Sequence, residues 1–245
     1  MYKFKQYEIN TNKNMNNEET RIITLSDLNW NNTITKYDVN DLIVAINDLY
    51  PKYLFILGNI ANYEYLKDKQ LLNNLKYFFE LLESITKTYI VFGKKDYEYE
   101  NEKYINIDNL ISIYNNFKVS CINNSLISDT DINIMGLNLE PNKHYNNQEK
   151  KKKILDLINK YNHNINNSLL NILITHADIS GLKNDLELTN KFDLILSKSS
   201  YNIPKPSIFN IKRKEDKKDL SNNFIIENKG LYTKEEMDLI KIKRL

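Results

Sequence analysis

The chain has 245 residues and a formal charge of +2; 41% of its residues are hydrophobic and 27% charged. That length supports a single domain, residues 1–245, with a substantial buried core. The near balance of charge argues against a general attraction to nucleic acid, and no apolar run approaches the ~20 residues of a membrane span.

Behind Met1-Tyr2-Lys3-Phe4-Lys5 there is no apolar segment, which predicts that the chain carries no signal peptide. Arg21–Leu25 and Tyr53–Leu57 read as strands. Between them, Asp38–Leu49 places Val39, Leu42, Ile43, Ile46 and Leu49 at helical spacing, with Pro51 just beyond. Glu64–Thr86 predicts one long helix whose apolar face carries Leu71, Leu72, Leu75, Phe78, Phe79 and Leu82. Thr88–Phe92 is the next strand and Ile107–Tyr114 the next helix. A run of short strands follows at Phe117–Cys121, Ser125–Ser128 and Ile132–Gly136. Cys121, the single cysteine, excludes an internal disulfide and fits a reducing, cytoplasmic setting. Its place in an apolar run marks it as a core residue.

Lys151–Tyr161 predicts a helix, and Leu169–Ile174, Phe192–Leu196, Ser207–Ile211, Asn223–Glu227 and Asp238–Lys243 predict strands. The basic runs Lys150–Lys153 and Lys212–Lys218 read as solvated faces. Paired asparagines such as Asn16-Asn17 and Asn166-Asn167 mark loops, in a composition of the kind AT-rich genomes encode. Alternation early and strands late point to an α/β protein: a four-layer α/β/β/α sandwich, with two mixed sheets packed face to face and flanked by helices.

Five short blocks follow five of these strands: Ser26-Asp27-Leu28-Asn29, Gly58-Asn59, Gly93-Lys94-Lys95-Asp96, Thr175-His176 and Ser197-Lys198-Ser199-Ser200. In layered α/β proteins, ligands sit at the carboxyl ends of strands. The blocks therefore define one candidate pocket.

In order and spacing the blocks resemble the calcineurin-like metallophosphoesterase superfamily, in its small bacterial predicted-phosphohydrolase branch. That family's pattern runs D-x-H, GD, GNH-D/E, H and GHxH. The likeness extends through Ile46–Asn62, Asn116–Leu137, Leu169–Ser180, Phe192–Ser200 and Gly230–Lys243. The resemblance implies two divalent metals, such as Mn, Fe or Zn, that clamp a bridging hydroxide for attack on phosphorus. Carried over, the first metal would meet Asp27, Asn29, Asn59 and Ser200, and the second Asn59, Lys94, His176 and Lys198. Lys95 stands where the family's acid histidine protonates the leaving group, and Asp96 matches the acid that orients it.

Of these ligand positions only Asp27 and His176 keep the family's residue. An ammonium at a metal position repels the ion. At ~4 Å and an effective dielectric near 20, two unit charges repel by about 4 kcal/mol, and a divalent ion doubles that. The expectation is a metal-free pocket and no cofactor. Asp27 then reads as a relic ligand, an anchor for Lys94 or Lys198, or a cap, and His176 as a neutral structural histidine. Asp96 beside Lys95 reads as a local ion pair or cap, and His144 and His163 as surface residues.

Three functional readings follow. The first is a non-catalytic protein that binds a phosphate or nucleotide through Lys94, Lys95 and Lys198, or else a protein partner. The second is a phosphoesterase with an altered or mononuclear site at Asp27, Asn29 and Asn59, or with lysine-assisted chemistry. The third is a structural subunit paired with an intact relative. Trp30, Tyr97, Tyr99 and Tyr201 flank the blocks and offer an aromatic rim.

Overall fold

The computed structural model describes residues 4–99, 103–182, 185, 191–198, 224–228 and 237–244. The predicted strand Ser207–Ile211, the basic run Lys212–Lys218, Ser200 and Tyr201 lie outside the described residues.

One sheet contains β1 (Phe4–Thr11), β2 (Glu19–Leu25), β3 (Tyr53–Leu57), β4 (Lys87–Val91), β7 (Ser120–Cys121) and β13 (Met237–Arg244), in the order β1-β13-β2-β3-β4-β7. β13 pairs parallel to β1 and antiparallel to β2, while β2, β3, β4 and β7 run parallel. The second sheet contains β8 (Ser125–Ser128), β9 (Ile132–Leu137), β10 (Leu170–Thr175), β11 (Leu194–Lys198) and β12 (Phe224–Asn228), parallel except for β8 against β9. A small hairpin joins β5 (Glu98–Tyr99) to β6 (Lys103–Tyr104).

Side-chain alternation along the strands sorts the core into three layers. Tyr53, Phe55 and Leu57 of β3 face the second sheet, where they meet Ile172 and Ile174 of β10 and Leu194 and Leu196 of β11. Leu54 and Ile56 face the other way, against α1 (Lys36–Asn47), α3 (Lys69–Glu83) and α5 (Ile107–Asn115). Leu173 and Ile195 turn outward to α6 (Asn147–Tyr161), which buries Ile154, Leu157 and Ile158. The protein is thus an α/β/β/α sandwich of two mixed sheets. Among the described residues, no helix is long and apolar enough to cross a membrane.

The expected long helix over Glu64–Thr86 is two helices. α2 (Tyr63–Leu66) ends at Lys67, and the Asp68 side chain accepts hydrogen bonds from Gln70 N–H and Leu71 N–H to cap α3. The apolar period continues across the break, so pattern alone could not reveal it, whereas an aspartate cap ends one helix and starts another. α6 begins earlier than predicted, at a capping box formed by Asn146 and Glu149. A single turn, α4 (Lys94–Tyr97), was not predicted.

At the end of the sandwich away from the five blocks, Lys52 pairs with Asp131, which is fully buried and also accepts from Asn16 N–H. Beside it Lys87 Nζ lies 2.7 Å from Asp129, which accepts from the Tyr89 hydroxyl as well. Lysines of one sheet thus meet aspartates of the other. Asp131→Ala removes a buried carboxylate and leaves the Lys52 ammonium and the Asn16 N–H without their acceptor, and should cost about 3 kcal/mol in urea unfolding. Glu83→Ala, which breaks only the exposed pair with Lys118, should cost under about 1 kcal/mol.

Candidate functional site

The loops after β2 and β3 run side by side. Asp27 N–H donates to Gly58 O at 3.0 Å, Asn29 N–H to Asn59 O at 3.0 Å and Trp30 N–H to Ile60 O at 2.7 Å. Asp27, Asn29, Gly58 and Asn59 all take left-handed backbone conformations, with φ of 51°, 45°, 81° and 53°. Asn and Asp tolerate this region better than other side-chain-bearing residues. Gly58 is required there: a Cβ would collide with the backbone of Gly93 and the His176 ring.

Asp96, fully buried on α4, holds these loops in place. One carboxylate oxygen accepts from Asn59 N–H and Gly93 N–H, both at 2.7 Å, and the other from Ile60 N–H at 2.6 Å and Ala61 N–H at 3.1 Å. Burial pushes this carboxyl up, to about 7, and the four N–H donors pull it back toward the anion. Every lone-pair position meets a donor, which is the arrangement of a carboxylate. The local ion pair expected between Asp96 and Lys95 gives way to this backbone cradle, because Asp96 turns inward while Lys95 stays exposed.

At the centre of the cluster is Asp27, whose side chain is fully buried. Its Oδ1 accepts from Lys198 Nζ and from Asn59 Nδ2, both at 2.6 Å, and Ser26 Oγ donates to Oδ2 at 3.3 Å. Of the two lysines expected to anchor Asp27, Lys198 makes the contact. Lys95 Nζ reaches Asn29 Oδ1 at 3.0 Å, and its backbone N–H donates to Asn59 Oδ1 at 3.0 Å. Asn29 Nδ2 donates back to the Asp27 carbonyl at 2.7 Å. Lys94 places its ammonium 5.7 Å from the centre of the Tyr104 ring.

His176 stands 2.6 Å from the Leu57 carbonyl through Nδ1, so the neutral ring carries its proton there and turns Nε2 away as an acceptor. Burial holds this imidazole well below its usual value, near 4, and the Lys198 charge lowers it further while Asp27 opposes.

The structure thus brings together Asp27, Asn29, Asn59, Lys95, Asp96, His176 and Lys198. Trp30 and Tyr97 are buried and form no rim: Trp30 packs on Phe78 and Tyr97 on Phe92. Tyr99 is half-buried and packs edge-on against Tyr63, outside the hydrogen-bonded cluster. Lys150, Lys151 and Lys153 of the basic run engage the Asp178 carbonyl, Asp185 and Glu140, as suits a solvated face. His144 and His163 are exposed. Cys121 is half-buried against the helix layer, and burial pushes its thiol up to about 12. Sequence reasoning missed Asn138, which accepts from Phe92 N–H at 2.8 Å and donates to Ile122 O at 2.9 Å. An asparagine in an asparagine-rich chain carries no signal of its own.

A pair of divalent metals does not fit the side chains described. Among the described residues no three His, Cys, Asp or Glu side chains converge. Asp27 Oδ1 already meets an ammonium and an amide N–H, and Asn59 turns its nitrogen, not its oxygen, toward Asp27. Metal sites of this kind need several anionic or imidazole donors aimed at one point.

No protein-family model matches the chain, and no curated protein matches it. Among solved structures it is similar to a phosphopantetheinyl hydrolase from Mycobacterium tuberculosis, with 10% sequence identity over 86% of this chain and 90% of that chain, at a TM-score of 0.43. What this pocket can do follows from its own side chains.

Two predictions test the geometry. Asp96→Asn turns an NH₂ group against two backbone donors and should cost about 3 kcal/mol in denaturant unfolding. His176 titrates near 4 when folded against 6.5 in the open chain, so the unfolded state binds the proton more tightly and stability falls as pH drops through that window. The loss from this group between pH 7 and pH 5 should be about 2 kcal/mol, and His176→Gln should lessen the pH dependence by that amount.

Proposed function

We propose that this chain is a non-hydrolytic protein of phosphoesterase-like fold, in which an internal ammonium replaces the metal centre and the pocket serves binding. The observation that carries this reading is the Lys198–Asp27 pair, with 2.6 Å between Nζ and Oδ1. It supplies positive charge at Asp27, the one metal-ligand carboxylate of the family pattern that this chain keeps. The amide of Asn59, which turns its nitrogen toward Asp27, agrees with it, as does Lys95, which hydrogen-bonds Asn29 where the resemblance would set an acid histidine.

The ligand class that fits is a phosphate-bearing small molecule. Lys94 and Lys95 are exposed, Lys94 over the Tyr104 ring and Lys95 against Asn29, and ammonium groups bind phosphate as point charges. No cofactor is part of the proposal.

Metal analysis after incubation with Mn²⁺ or Zn²⁺ and desalting should find far less than one ion per chain. The same ions should shift the melting temperature little, because no native-state site draws them. Turnover of an aryl phosphodiester should match the buffer blank with and without added metal. One or two retained ions per chain, or metal-dependent turnover, would overturn the proposal in favour of an altered phosphoesterase.

A further inference from the structure

The end of the sandwich away from the five blocks carries a cavity of about 280 Å³, apart from the site described above. It opens where the first sheet narrows. β7 pairs with β4 only through Ser120 and Cys121, opposite Tyr89 and Ile90. Just before that pairing Lys118 takes a left-handed backbone conformation, with φ of 57°, and the chain at Lys118 and Val119 stands apart from the start of β4. The gap is walled by Phe79 and Glu83 of α3, by Thr86 and Thr88 at the start of β4, and by Lys118 and Val119. Thr86 and Thr88 are each only 9% exposed, and neither hydroxyl has a hydrogen-bond partner among the described residues. A buried hydroxyl left unpaired costs about 1–3 kcal/mol, so two of them in one cavity wall mark a place for a polar group from outside the chain. At the rim, Lys118 Nζ pairs with Glu83 at 3.0 Å, the two side chains 70% and 45% exposed. A pair so exposed contributes under about 1 kcal/mol and opens at little cost.

We infer that this cavity binds a small polar zwitterion of the amino-acid kind, whose ammonium and carboxylate meet Glu83 and Lys118 while its neutral polar end meets the two threonine hydroxyls. An anion alone would take Lys118 and leave Glu83 without a partner, and a cation alone would do the reverse. A zwitterion exchanges partners with the pair, so every charge keeps an opposite. Lys87, also in the wall, is matched by Asp129 at 2.7 Å and adds no net charge. Phe79 and Val119, both core residues, give the ligand's methylenes an apolar surface. Each threonine hydroxyl can donate and accept, which suits a carboxamide. The volume is close to the roughly 300 Å³ at which small-molecule sites begin.

The test is calorimetric titration of L-glutamine, a zwitterion with a carboxamide end, into the full chain. Wild type should bind it saturably, one per chain. Lys118→Met and Glu83→Gln should each weaken that binding at least about ten-fold, and Thr88→Val about five-fold. N-acetyl-L-glutamine, which keeps the carboxylate and lacks the ammonium, should bind at least about ten-fold more weakly than L-glutamine. Each variant is checked for native circular dichroism; Glu83 and Lys118 are exposed, so their variants carry the test even if Thr88→Val fails to fold. No saturable binding by wild type, equal affinity for the acetylated compound, or an affinity left unchanged by any folded variant overturns the inference.

Discussion

Two β-sheets packed through apolar faces adhere without a preferred way of closing at either end, and here charge crosses the gap at both. At one end Lys52 and Lys87 of the first sheet meet Asp131 and Asp129 of the second. At the other, Lys198 of the second sheet meets Asp27 of the first. The rest of the pocket is arranged around that last contact. His176 also spans the sheets, through the Leu57 carbonyl, as does Asn138 through the Phe92 amide. An ammonium–carboxylate bridge here stands where the resemblance would have metals join the same two sheets. Replacing such a pair by apolar groups can be neutral or better for stability, whereas losing one partner is costly. The pair therefore defines how the sheets meet more than it adds to the strength of their union.

The loops that carry the pocket are strained. Asp27, Asn29 and Asn59 each hold a left-handed conformation, at a cost on the order of 1 kcal/mol per residue. Asp96 is what sustains it, since four backbone donors from the segments around Gly58 and Gly93 end on its two oxygens. A buried anion whose every acceptor position is satisfied is rigid as well as stable. Such a cradle positions the side chains around it whatever their chemistry.

Inside that scaffold nearly every polar group is answered by another of the same cluster. Asn59 donates its amide N–H to Asp27 and accepts from the Lys95 backbone N–H, and Asn29 donates to the Asp27 carbonyl and accepts from the Lys95 ammonium. A closed network has little to offer a metal ion, which needs donors left open and aimed at one point. Lys94 and Lys95 lie exposed beside it. The binding proposal rests on that distribution: exposed cations outside, a paired anion within.

The layer architecture was legible in the sequence because periodicity reports burial directly. Tyr53–Leu57 and Ser125–Ser128 were read at their observed bounds, and α3 was read by its apolar face. The break at Asp68 and the turn α4 were not, since a cap and a single turn are hydrogen-bond events that leave the apolar period undisturbed. The five blocks could be placed at strand ends from order alone. Which lysine would meet Asp27 could not, because Lys94 and Lys198 are equally basic and only the crossing of the two sheets brings one of them within 2.6 Å. Nor could the sequence tell that Asp96 turns inward and Lys95 outward, or that Trp30 and Tyr97 are core. By itself the sequence determined which residue types occupy the pocket and where along the chain they fall. The tertiary structure alone decided their pairing, because hydrogen bonds and ion pairs depend on distance and direction across elements that are far apart in the chain.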